Sequence, residues 1–194
     1  MILSKPDILA YIRKKKIQFD REIRESDIAQ VSVDLHLGRK FSVLKPLPSH
    51  ITSIYVDEGL WEAEDLWEHF EQDEYTLHPN KFVLARTLEE VTIPGDLVGL
   101  VEGRSSWARA GVTIHVTAPK IDPGFHGSIT LEMFNFSQAK ITLRAEKDTP
   151  AQLMFLRVSK PLEKGQLYGT KSSDRFQHQT EPIPRTKKPP RRRV

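Results

Sequence analysis

Between Tyr75 and Leu156 the chain is cut into short apolar runs, and this limits its fold more than any other feature. Tyr75-Thr-Leu77, Phe82-Val-Leu-Ala85, Leu97-Val-Gly-Leu-Val101, Val112-Thr-Ile-His-Val116, Ser128-Ile-Thr-Leu-Glu-Met-Phe134, Ile141-Thr-Leu143 and Ala151-Gln-Leu-Met-Phe-Leu156 are rich in β-branched and aromatic residues. Gly, Pro and Asn/Asp turns separate them at short spacing. Such a pattern specifies an all-β dominated chain: a sandwich, jelly roll or barrel. No repeat period is present, and no linker precedes Pro161. The expected organisation is one domain over residues 1–180, ending in a C-terminal arm, and a basic, disordered tail over residues 181–194.

Upstream, Val31, Val33, Leu35 and Leu37 alternate with polar residues, which predicts a half-buried strand closed by Gly38. Phe41-Ser-Val-Leu44 should continue the sheet until Pro46 and Pro48 break it. Ser4-Lys-Pro-Asp7 reads as a helix start, with Ser4 at the N-cap and an apolar stripe of Ile8, Leu9, Tyr11 and Ile12 behind it. Lys14 to Lys16 suit the negative end of that helix. Residues 60–70, with Leu60, Trp61, Ala63, Leu66, Trp67 and Phe70, predict a small amphipathic helix or an irregular insertion. Asp65 and His69 there stand one turn apart, a spacing open to metal ligation, but a solvated acidic face is the preferred reading.

The net charge of +3 is misleading. Six basic residues and no acid lie between Pro182 and Val194, so the rest of the chain carries −3. The tail reads as a solvated charge run rather than a nucleic-acid contact. No apolar run approaches the roughly 20 residues of a membrane span, and the N-terminus lacks a secretory pattern. The chain has no cysteine, which excludes disulfides and fits a cytoplasmic setting.

Three segments carry chemistry. Gly103-Arg-Ser-Ser106 followed by Trp107-Ala-Arg109 sets two hydroxyls between two guanidiniums, an oxyanion grip or an ordinary turn with surface arginines. Ile121-Asp-Pro-Gly124 is a turn whose Asp122 could accept a sugar hydroxyl or bond only its own backbone. In Ile129-Thr-Leu-Glu-Met-Phe-Asn135, alternation puts Ile129, Leu131 and Met133 on one face and Thr130, Glu132 and Phe134 on the other. If the second face lines a cleft, Glu132 suits general acid–base work; if it is solvated, Glu132 is an ordinary surface carboxylate.

Together, Arg104-Ser-Ser-Trp-Ala-Arg109, His115-Val-Thr-Ala118, Ile121-Asp-Pro-Gly-Phe-His-Gly127 and Leu131-Glu-Met-Phe-Asn135 resemble the dCTP deaminase branch of the trimeric dUTPase superfamily. Leu3-Ser-Lys-Pro-Asp-Ile8, Ser32-Val-Asp-Leu-His-Leu-Gly38 and Tyr168 with Arg175-Phe-Gln-His-Gln179 extend the resemblance over most of the chain. It implies a distorted jelly-roll or β-clip barrel with a short N-terminal helix and a small helical insertion. It implies a homotrimer with active sites between subunits, and hydrolysis of dCTP to dUTP and ammonia. In that reading Glu132 is the catalytic acid–base. Ser105, Arg109 and the carbonyl of Ala118 position water and phosphates. Arg104, Ser105 and Ser106, within the 104–109 segment that includes Trp107 and Ala108, hold phosphate. Asp122 holds the 3′-hydroxyl, and Thr130, Leu131 and Glu132 meet the base. Tyr168, Arg175 and Gln179 close over the triphosphate. Magnesium arrives on the phosphates, and no zinc takes part. Feedback inhibition by dTTP is also implied, with His115-Val-Thr117 as the switch. Lys120 favours a deaminase that stops at dUTP, whereas Gln152 resembles a residue of the dUMP-forming group. A bifunctional enzyme and a plain dUTPase are the alternatives.

Overall fold

The computed structural model describes residues 1–47, 49 and 66–183. The chain opens on a helix, α1 (Lys5–Arg13). Short β1 (Gln18–Phe19), then β2 (Ser32–Leu35) and β3 (Leu37–Leu44), come next. β4 (Trp67–Glu71), β5 (Glu74–Leu77), β6 (Phe82–Thr92) and β7 (Leu97–Gly103) lead to a one-turn helix, α2 (Ser105–Arg109). β8 (Val112–Thr113), β9 (Lys120–Ile121), β10 (His126–Asn135), β11 (Ile141–Arg144) and β12 (Ala151–Arg157) complete the set.

All pairings are antiparallel. One sheet runs β4-β3-β6-β10-β8, with β1 also on β6; a second runs β2-β12-β7-β9; β11 and β5 pair alone. One apolar core unites them, with Phe41, Phe155, Leu131, Met133, Leu97 and Leu153 essentially inaccessible. Phe41 stacks on Phe70 and Tyr75 at 5.8 and 5.3 Å, which ties the two-stranded β5-β11 sheet to the large one. α1 docks Ile8 and Tyr11 on this core, and Tyr11 donates to Asp96 across 2.8 Å. Ser4 does occupy the N-cap position, but its hydroxyl donates to Asp7 Oδ2 rather than capping a backbone N–H.

The structure corrects three expectations. Gly38 does not close a strand: it lies inside β3, where the chain presses against a bulge in β6. A Cβ there would stand 3.0 Å from the Arg86 carbonyl oxygen, so the glycine serves close approach rather than termination. The break falls instead at His36, which lets the chain leave one sheet for the other. The run 112–116 keeps only two ladder residues, because Ile114 to Val116 peel off to run beside Glu132. Residues 67–71 form a strand, not a helix, and His69 bonds Ser42 at 2.8 Å. Leu60, Trp61, Ala63 and Asp65 of the expected insertion lie outside the described residues, as does the basic run from Arg185 to Arg193.

The β6 bulge is held by hydrogen bonds between buried Glu89 and His36. Glu89 is 2% exposed and accepts from His36 N at 2.9 Å, with His36 Nδ1 at 2.7 Å. Burial pushes the Glu89 carboxyl above its ordinary value of 4.5, against the pull of His36. The folded state therefore binds this proton more tightly than the unfolded chain. Stability should fall as pH rises from 4.5 toward the raised value. In Glu89→Gln that part of the slope is expected to vanish, read as urea midpoints across a pH series; an unchanged slope would assign it to other groups.

Candidate active site

The ends of β9 and β10, the turn between them and the returning arm enclose a cavity of about 470 Å³. Its wall includes Ala118, Asp122, Thr130, Glu132, Tyr168, Arg175 and Gln179, all singled out from sequence. Alternation along β10 does what the pattern implied. Ile129, Leu131 and Met133 are buried in the core, while Thr130, Glu132 and Phe134 are half-buried on the opposite face. Leu131 is 0% exposed and belongs to the core rather than to the cavity wall.

Glu132 is pinned from both ends. Its N–H donates to Ile114 O at 2.8 Å, and its Oε2 accepts from Val116 N–H at 2.8 Å. Among the described residues that N–H is the carboxylate's one hydrogen-bond partner. The other oxygen is left for a ligand or water. Beside it, Asp122 caps the turn that sequence anticipated: its carbonyl accepts from Phe125 N–H, and Gly124 takes φ +93°. A Cβ at Gly124 would stand 2.6 Å from Leu167 Cβ, so only glycine lets the arm pass this closely. Lys120 Nζ lies 2.7 Å from Asp122 Oδ1.

The arm is stitched to the body along its length. Tyr168 N–H donates to Pro123 O at 2.8 Å, His178 N–H to His126 O at 2.7 Å, and Gln179 Nε2 to Ser128 O at 2.7 Å. Asp174 closes a turn within it by accepting from the Gly169 and Lys171 N–H groups, which hold its carboxyl below the usual range. The boundary expected after residue 180 falls inside a docked segment: Pro182 and Ile183 are buried, so the arm runs on to Ile183.

The 104–109 segment lies elsewhere. None of its residues lines the cavity, nor does Gln152. Ser105, Ser106, Ala108 and Arg109 are exposed on α2, and the Trp107 ring packs partly against the core. Arg104 pairs with Asp34 at 3.1 Å; burial pushes the Asp34 carboxyl up, and Arg104 opposes that rise. Gln152 accepts from Ser32 Oγ at 3.0 Å and donates to Gly103 O at 3.3 Å, next to Arg104. One chain thus presents two separate clusters: a carboxylate cavity on the large sheet and a guanidinium patch at the end of β7 and β12.

Sequence reasoning missed Leu84, Phe125, Pro182 and Ile183 in the cavity wall. Leu84 enters because it stands across the ladder from Glu132, a register that no local pattern shows. Pro182-Ile183, an apolar pair ahead of a basic run, was the one available signal for the others.

Antiparallel sheets rolled around one main core, with a strand carboxylate, a turn aspartate and a returning arm about one cavity, define an all-β roll with a carboxylate-bearing site. The chain belongs to the dCTP deaminase-like family, whose model matches residues 2–158. It is 40% identical over 168 residues to a protein of Methanobrevibacter smithii named dCTP deaminase, dUMP-forming, covering 84% of this chain and 83% of that one. It is 37% identical over 195 residues to a dCTP deaminase of Natronomonas pharaonis, covering 94% and 92%. In fold it resembles a solved 2′-deoxycytidine 5′-triphosphate deaminase from Agrobacterium tumefaciens, with a TM-score of 0.61 at 19% identity. That likeness covers 84% of this chain, which spans half the length of the solved one.

Proposed function

We propose that this chain hydrolyses dCTP to dUTP and ammonia, with Glu132 as the proton carrier. The observation that carries the reading is the half-buried Glu132 carboxylate, held by the Val116 N–H, in a cavity shared with Asp122 and the closing arm. In the proposed route Glu132 takes a proton from a water held near the Ala118 carbonyl. The oxygen attacks C4 of the base, and the protons pass to N3 and then to the departing amine, leaving the C4 carbonyl and NH3. Asp122 holds the 3′-hydroxyl, and Tyr168, Arg175 and Gln179 close over the phosphates.

In the proposal magnesium arrives on the triphosphate, bound mainly through the phosphates and water. The route uses no zinc. The separation of the guanidinium patch from the cavity supports a homotrimer in which Arg104, Ser105, Ser106 and Arg109 of one subunit complete the cavity of the next. The segment 115–117 supports a dTTP response, since moving Val116 would release Glu132. No helix among the described residues is long and apolar enough to cross a membrane, and we place the reaction in the cytoplasm with its nucleotide substrate.

A second reading, release of dUMP and pyrophosphate, is favoured by Gln152 and by relatives named dUMP-forming. Against it, Asp122 must leave Lys120 before it could activate a water for attack on phosphorus. Incubation with dCTP and Mg²⁺ decides: ammonia and dUTP are expected. Ammonia with dUMP and pyrophosphate would establish the second reading, and no ammonia would exclude both.

A further inference from the structure

Beyond Gln179 the arm continues across the six-stranded sheet, and its last described residues reach the end of the cavity that holds Glu132. Leu84 faces Glu132 directly in the β6–β10 ladder, so both side chains rise from one face of the sheet. Ile183 lies on Leu84 with Leu66 and Trp67, and is 3% exposed. The Pro182 carbonyl accepts from Thr130 Oγ1 at 3.1 Å, and the same hydroxyl receives Gln179 Nε2 at 3.2 Å. Glu181 forms an ion pair with Lys40 on β3. Pro182 and Ile183 line the cavity together with Thr130, Glu132 and Leu84.

From this geometry we infer that Pro182 and Ile183 are specificity-determining residues, the apolar wall of the pyrimidine end of the site. Leu84, Pro182 and Ile183 offer a dry surface for a flat single ring next to the carboxylate that must act on it. The Pro182 carbonyl and Gln179 together fix the Thr130 hydroxyl, which orients the edge of the base. The Lys40–Glu181 pair is a positioning contact: it touches no substrate and holds the wall in place. This inference rests on the deamination reading for the identity of the base. The wall itself rests on contacts made without nucleotide.

Ile183→Ala, Ile183→Leu, Lys40→Glu and the charge swap Lys40→Glu/Glu181→Lys test it in the full chain. The readouts are dCTP kinetics, dCTP binding by calorimetry, and hydrogen exchange of the His178 and Ser128 amides that join the arm to β10. Ile183→Ala should raise the KM and the dissociation constant about tenfold while kcat changes less than about threefold, as expected for lost apolar contact in a bound state. Ile183→Leu should restore most of the affinity, and the charge swap should recover what Lys40→Glu loses. Unchanged affinity in Ile183→Ala overturns the inference, whether or not exchange quickens, because Ile183 would then be at most an anchor. A wild-type protein that releases no ammonia would refute the deamination reading. The wall would still be judged by calorimetry and exchange.

Discussion

Glu132→Gln is expected to lower kcat for ammonia release from dCTP by at least ~10²-fold, with KM changed by no more than about threefold. The reasoning is geometric. Gln retains an oxygen that can accept from the Val116 N–H, and its backbone bond to Ile114 O is unaffected, so the strand and cavity should persist. What the amide cannot do is carry a proton from water to the ring. A hundredfold loss corresponds to about 2.7 kcal/mol of transition-state stabilisation, which a structural contact to one N–H would not supply selectively. A kcat loss with binding intact therefore identifies a group acting on the reacting atoms. A KM rise with kcat intact would identify Glu132 as a binding group only. Full ammonia release in the variant would remove it from the mechanism.

Equally large is the effect expected from mixing two inactive variants. Glu132→Gln damages the cavity, and Arg109→Ala damages the guanidinium patch. Each alone should be close to inactive. If every site joins the cavity of one subunit to the patch of its neighbour, random trimers from an equal mixture repair about a quarter of their sites. Each repaired site pairs an intact Glu132 from one variant with an intact Arg109 from the other. Co-refolded mixtures should then regain about a quarter of wild-type activity. Mixed without exchange of subunits, they should regain none. A cyclic assembly is the simplest way for one surface to complete another on an identical chain. No recovery after verified exchange would refute a site shared between subunits. The cavity wall contains none of residues 104–109, which is why recovery is expected.

Much of the candidate site was legible before any coordinates. The Thr130/Glu132/Phe134 face followed from a period of two, and the Asp122 turn from Pro123 and Gly124. The resemblance brought Tyr168, Arg175 and Gln179 to the same place. Where the reading failed, long-range pairing was responsible. Gly38 looked like a terminator because its local chemistry permits a turn, yet the bulge of β6 required its missing side chain. Residues 67–70 carry a spacing that suits a helix, but pairing with β3 places them in a strand. Residues 181–183 looked like the start of a solvated tail, and an apolar socket made by Leu66, Trp67 and Leu84 captured them.

By itself the sequence determined the all-β character, the identity of the carboxylate and the face from which it projects, because alternation and turn chemistry act between neighbours in the chain. Whether that face was solvent or cavity depended on residues more than forty positions away: Leu84 across the ladder, and Gln179 to Ile183 over the top. Strand register and the path of the arm set those contacts. Both are fixed by burial summed over the whole core, which no local segment contains. The tertiary structure alone turned Glu132 from one of two open readings into a held carboxylate in a cavity, lined by Arg175 but not, within one chain, by Arg104 or Arg109.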